Sequence, residues 1–194
     1  MTEEVTEASQ SDDNAADRAA TSVRDGLPKA VLLSDAVGGA PESGPSAYVP
    51  PSAALRSEAR ETIHGKAVAD IARLRFGFPT EKYPHFKTHT NAPGRTMGIE
   101  MADGRVAYPD IVVVQHPENF TKIVAQIETN ETIREAVASH EWLAYSDLAP
   151  LYLYVPVGKR EETRSLCQQL NIPVVGIRTW RYMAGYEDPE INDD

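Results

Sequence analysis

A single cysteine, Cys167, stands among 194 residues, so the sequence has no partner for an internal disulfide. No apolar run approaches the ~20 residues that a membrane-spanning helix needs. The opening Met1-Thr2-Glu3-Glu4 is acidic and lacks the basic-then-apolar layout of a signal peptide. A reducing cytoplasm is therefore the expected home, with no membrane partner. No glycine-rich turn joins a strand to a helix, which removes the usual cradle for a dinucleotide. Gly158-Lys159 lacks the earlier glycine and the following Ser or Thr of a phosphate-binding P-loop.

Net positive charge is also missing. The chain carries −10, but unevenly. Residues 1–26 hold seven acids against two bases, and residues 186–194 hold five acids and no base. The stretch between them has 17 of each sign and exerts no global field on a polyanion. Asp, Glu, Ser, Ala, Gly and Pro dominate residues 1–50, which predicts a disordered tail with one apolar cluster, Val31-Leu32-Leu33. Residues 51–183 are the expected domain, and 184–194 an acidic C-terminal tail. Hydrophobic residues make up 41% of the chain, enough for one real core. The acidic tails suit a protein that meets protein partners through disordered ends.

Two Val- and Ile-rich runs, Tyr108 to Val114 and Ile123 to Thr129, read as buried strands separated by a polar loop. Into them the sequence puts Asp110, Gln126 and Glu128. A carboxylate in a buried strand costs several kcal/mol unless it is paired or bound to a cation. Gln126 and Glu128 are two apart and leave the same face of their strand. With Asp110 facing the same way, two carboxylates and an amide converge, an oxygen set that suits Mg²⁺ or Mn²⁺. The alternative is a buried polar cluster satisfied by backbone donors and by Arg95 or Arg105.

Around these strands, Pro50-Pro51-Ser52 predicts a helix start with Ser52 as N-cap. Leu55, Ala59, Ile63, Ala67 and Ile71 recur every four residues and predict a helix over 53–73. Glu58 and Glu61 on that helix are solvated partners of Arg56 and Arg60, or extra metal ligands leaning over the strands. Residues 75–96 mix Arg75, Lys82, Lys87 and Arg95 with Phe76, Phe78, Tyr83 and Phe86 among prolines and glycines. They predict an irregular loop that either tracks a nucleic-acid backbone and stacks bases or packs over the sheet edge. Asp103-Gly104 between apolar runs predicts a hairpin, with Pro109 at an edge or bulge. Thr132 and Glu135 form a possible capping box for a helix reaching about Asp147. Leu151 to Pro156 is a strand, Lys159 to Leu170 a helix with Cys167 inward, and Val174 to Trp180 the last strand. The order is helix, three strands, helix, strand, helix, strand.

That order, with Pro109-Asp110 on a hairpin arm and Gln126-Ile127-Glu128 on the next strand, resembles the PD-(D/E)XK nuclease superfamily, the restriction-endonuclease-like fold. The likeness covers about 53–182. Gln126-Ile127-Glu128-Thr129 is similar to the "EVET" segments of relatives. Glu141-Trp142-Leu143-Ala144-Tyr145 is similar to the Gln-x-x-x-Tyr element of one nuclease branch. The resemblance implies an α/β fold with a central mixed sheet of four to five strands flanked by helices. It implies hydrolysis of phosphodiesters, with Asp110 and Glu128 holding Mg²⁺ or Mn²⁺ and Gln126 as a neutral ligand. Two departures stand out. Gln126 replaces an acid, and Glu128 occupies the lysine position, so Lys122 or Arg134 would have to supply the cation. Lys122 lies four residues from Gln126, about 13 Å along a strand. The second function kept open is a catalytically inactive relative that binds protein or nucleic acid or assembles with them. Homo-oligomers are common in folds of this class, but no interface patch is visible in the sequence.

Overall fold

The computed structural model describes residues 28–32, 47–56 and 58–193. Six strands form one mixed sheet in the order β2 (Phe86–Thr90), β5 (Ile111–Gln115), β6 (Phe120–Ile127), β7 (Leu151–Pro156), β8 (Gly176–Arg181) and β9 (Glu190–Asn192). β5 runs antiparallel to both of its neighbours, β2 and β6; β6, β7 and β8 run parallel, and β9 returns antiparallel to β8. The parallel pairs need long crossovers, and helices supply them. The first crossover holds α2 (Glu135–Val137), a π-turn (Ala138–Trp142) and α3 (Leu143–Leu148), and the second holds α4 (Arg160–Gln169). A smaller sheet has the order β1 (Ala30–Leu32), β3 (Met97–Glu100) and β4 (Val106–Ala107). The chain is thus mixed α/β, a mixed sheet flanked by helices. No helix of the described residues is long and apolar enough to cross a membrane.

The apolar runs explain the central strands. Ile111 to Val114 and Leu151 to Val155 are buried throughout, as strands covered on both faces must be. The strand period of two divides them between two cores. Val112, Val114, Val124 and Leu153 join Trp142, Tyr145 and Cys167 on the side of α2, α3 and α4. Ile111, Val113, Ile123, Ala125 and Ile127 join Ala67, Val68 and Ile71 of α1 (Glu58–Arg75) on the opposite side. The even-numbered positions 124 and 126 therefore face the crossover helices, and the odd ones face α1.

Several expectations are corrected. The stretch 75–96 is not all irregular, because Phe86 to Thr90 pairs with β5 as an edge strand. The buried stripe of α1 is His64, Ala67, Val68, Ile71 and Ala72, while Ile63 is 49% exposed and Ala59 is exposed. A strict four-residue spacing gains about 40° per step on a helix of 3.6 residues per turn, so Leu55 to Ile71 cannot share one face. Ser52 does not cap α1 but lies buried in a short 3₁₀ turn, Pro51–Ala54. Thr132 closes a turn on Thr129, and α2 opens at Arg134 without a side-chain cap. The Asp103-Gly104 hairpin forms between β3 and β4, with Gly104 at φ +80°, where glycine carries no Cβ penalty. Its second arm leaves the small sheet at Tyr108 and enters the large one at Ile111. β1 and β9 lie within the stretches read from sequence as tails, β1 pairing with β3 and β9 with β8.

The α1 register separates two substitutions. Ile71→Ala empties a fully buried site and lowers unfolding free energy by about 2–5 kcal/mol. Ile63→Ala, on the solvated side, changes it by less than about 1 kcal/mol. Chemical denaturation of both variants checks the assignment, and equal losses would refute it.

Candidate functional site

Asp110 sits where the chain passes from the small sheet to the large one. Its backbone N–H donates to Gln126 Oε1 at 3.1 Å, and its Oδ2 accepts from the Ile127 N–H at 2.8 Å. The same oxygen accepts from His64 Nε2 of α1 at 3.0 Å. Gln126 spends its other end on Glu141, Nε2 donating to Oε1 at 2.7 Å. A backbone N–H cannot be turned round, so it fixes which way the Gln126 amide points. Ser52 adds two donors to Glu141, from Oγ at 3.0 Å and from N at 3.3 Å. Glu128 Oε1 accepts from the Trp142 indole at 2.6 Å. All five polar groups are buried: Glu128 and Glu141 are 0% exposed, His64 1%, Gln126 3% and Asp110 6%.

Glu141 and Trp142 are consecutive, yet both point inward. An α-helix would turn them about 100° apart. They lie instead in the π-turn Ala138–Trp142, whose wider winding brings both to the sheet. Tyr145, four residues after Glu141, is fully buried with its hydroxyl unpaired.

The electrostatics follow from burial and neighbours. Burial pushes Asp110 upward, but the His64 charge and hydrogen bond, Arg56 and the Ile127 N–H outweigh it and hold the carboxyl below its ordinary range. Burial would lower His64, and Asp110 outweighs it, so the imidazole is raised and protonation favoured. Burial lifts Glu128 to about 6 against the opposing pull of Thr132, Arg56 and Trp142. Glu141 is pushed up to about 8 by burial, then by the charges of Glu128 and Asp110, despite the donors from Ser52. Four buried, displaced titrations in one cluster mark a candidate site.

Of the residues singled out from sequence, Asp110, Gln126 and Glu128 are brought together. Glu61 reaches the rim, 3.6 Å from His64 Nδ1 and 3.8 Å from Arg56 Nη1, while Glu58 is exposed. Lys122 is four residues up β6, and Arg134 is exposed at the start of α2. Arg95 stacks on Tyr108 and Arg105 on Tyr48, so neither neutralises the cluster; His64 and Arg56 do. Arg75 reaches the C-terminal segment, at Ile191 O and Asp193. Lys82 lies 5.5 Å from the Tyr83 ring, and Lys87 is exposed on β2. Phe78, Tyr83 and Phe86 pack on one another, Phe86 buried and the other two half-buried against the core. Sequence reading missed His64, Ser52 and Arg56. A signal for His64 existed, as the one polar side chain in the α1 stripe.

Most of the cluster's polar atoms that a divalent cation would use already serve hydrogen bonds, while Glu128 Oε2 has no partner. Both ends of Gln126 and both oxygens of Glu141 are engaged, and Asp110 Oδ2 takes two donors. Among the described residues no group of three or more His, Cys, Asp or Glu is placed to hold a metal ion. No family model, curated protein or solved structure matches the chain.

The raised groups give stability a definite pH dependence. Between the ordinary 4.5 and about 8 the folded chain keeps a proton on Glu141 that the unfolded chain has released, so stability falls as pH rises. Glu128 and His64, also raised, act in the same direction, while Asp110, lowered, costs stability only in acid. Thermal unfolding is therefore expected to peak in mild acid and decline toward pH 8. Glu141→Gln, which mimics the protonated acid, flattens that decline; an unchanged slope would remove Glu141 from the cause.

Proposed function

We propose that this chain is a restriction-endonuclease-like domain whose metal site is rebuilt as a metal-free hydrogen-bonded cluster. It works by binding or assembly and not by hydrolysis of phosphodiesters. The element order supports the fold reading: a helix, an antiparallel β2-β5-β6 run, then helix and parallel strand, with Asp110 entering β5 and Glu128 following β6. The observation that carries the functional reading is the Gln126 amide. It joins the Asp110 backbone to Glu141, occupying the position where an acid would ligate a cation. An amide brings no negative charge, and here its oxygen already serves a backbone donor.

One atom favours the opposite reading, a metal-dependent nuclease. Glu128 Oε2 is buried without a hydrogen-bond partner, and such an oxygen is costly unless something satisfies it. A cleavage assay on single- and double-stranded DNA and RNA, with Mg²⁺ and then Mn²⁺, decides between them. Wild type is expected to be indistinguishable from Asp110→Asn. Metal-dependent cleavage that disappears in Asp110→Asn would overturn the proposal and establish the enzyme.

A further inference from the structure

Arg56 lies between the 3₁₀ turn and α1. Its side chain is 5% exposed, and its recorded ion pair is a long one, 3.8 Å from Nη1 to Glu61 Oε2. Nε and Nη2 are buried with no hydrogen-bond partner. Leaving a guanidinium buried with little pairing is costly. The position earns its cost only if the charge is needed there. Besides Glu61 at the rim, Asp110 and Glu128 are buried anions in its field: Arg56 lowers the proton affinity of both, and it opposes a second positive charge on His64. Glu128 Oε2 is likewise unpaired, so the cluster holds an unsatisfied donor group and an unsatisfied acceptor of opposite charge.

The segment carrying Arg56 is fastened along its length. Ala47 bridges to Val106, and the Tyr48 N–H donates to Val106 O at 2.8 Å. The Tyr48 hydroxyl donates to His140 O in the π-turn at 2.8 Å, and Ser52 binds Glu141. Residues 47–56 thus run as a strap from β4 across the π-turn to the cluster.

We infer that Arg56 is the resident cation of this site: delivered by the strap, its guanidinium supplies the positive charge that Asp110 and Glu128 would otherwise take from a divalent ion. This rests on the reading that the wild-type cluster is metal-free. Two carboxylates in a low-dielectric site require a counter-charge, and a guanidinium and a divalent ion compete for that place. Removing the guanidinium frees the carboxylates to recruit metal.

The test is Mn²⁺ titration calorimetry on the full chain, for wild type, Arg56→Ala, Arg56→Lys and the double variant Arg56→Ala with Asp110→Asn. Wild type and Arg56→Lys are expected to take up no Mn²⁺. Arg56→Ala is expected to gain a site with Kd below about 1 mM, lost again in the double variant. A folded Arg56→Ala that takes up no Mn²⁺ overturns the inference and leaves the metal-free reading intact. Wild type binding Mn²⁺ through Asp110 overturns that reading itself. If Arg56→Ala and Arg56→Gln are both unfolded, circular dichroism with millimolar Mn²⁺ decides, because a metal that binds only the folded state raises its stability. Refolding with the metal supports replacement of one cation by the other, and a chain still unfolded overturns it.

Discussion

The hydrogen bond from the Gln126 amide to Glu141 is the interaction on which the rest of the cluster depends. Through it the centre of the sheet is tied to the π-turn, and through the other end of the same amide it is tied to the Asp110 backbone. Asp110 in turn reaches α1 through His64, and Glu141 reaches the strap through Ser52. Two pieces of chain bond to this one side chain directly, and two more reach it through Asp110 and Glu141. Each contact removes a donor or acceptor that would be costly to bury alone. A carboxylate at position 126 would reverse this arrangement, since it could accept from the Asp110 N–H but would face Glu141 as a second acid.

Charge completes the picture. Asp110 and Glu128 face Arg56 and a His64 held toward its protonated form, while Glu141 is held toward neutrality. The site can be close to electrically neutral without an ion from solution. That balance is a property of the whole cluster. His64 comes from the α1 face of the sheet and Glu128 from the face of the crossover helices, and neither surface is neutral by itself. The net charge of the chain, which sits in its two ends, says nothing about it.

What the sequence made readable was local. β5, β6, β7 and α4 could be drawn because continuous apolar runs and helical periodicity are properties of adjacent residues. The convergence of Asp110, Gln126 and Glu128 followed from strand alternation once the two strands were neighbours. The partners of those three residues were not readable in the same way. Ser52 and Glu141 are 89 residues apart, and His64 and Asp110 are 46 apart, distances over which periodicity carries no information. Arg56 looked like one more charge beside Glu58 and Glu61 on a solvated helix, and only burial distinguishes it. β2 was hidden because its residues, Phe86-Lys87-Thr88-His89-Thr90, form an edge strand flanked by prolines, with just one fully buried side chain.

The π-turn has one more consequence. It sets two adjacent helical side chains against two alternate strand side chains: Glu141 against Gln126, and Trp142 against Glu128. Along β6 those acceptor and donor positions lie about 6.6 Å apart, with an apolar residue between them. A slip of β6 by one residue would present Ile127 and Thr129 to the helix, and both matches would fail together. The pair therefore acts as a two-pin key that admits β6 beside the crossover helix in a single alignment. Specification of strand register, usually left to hydrophobic alternation, is written here in polar contacts.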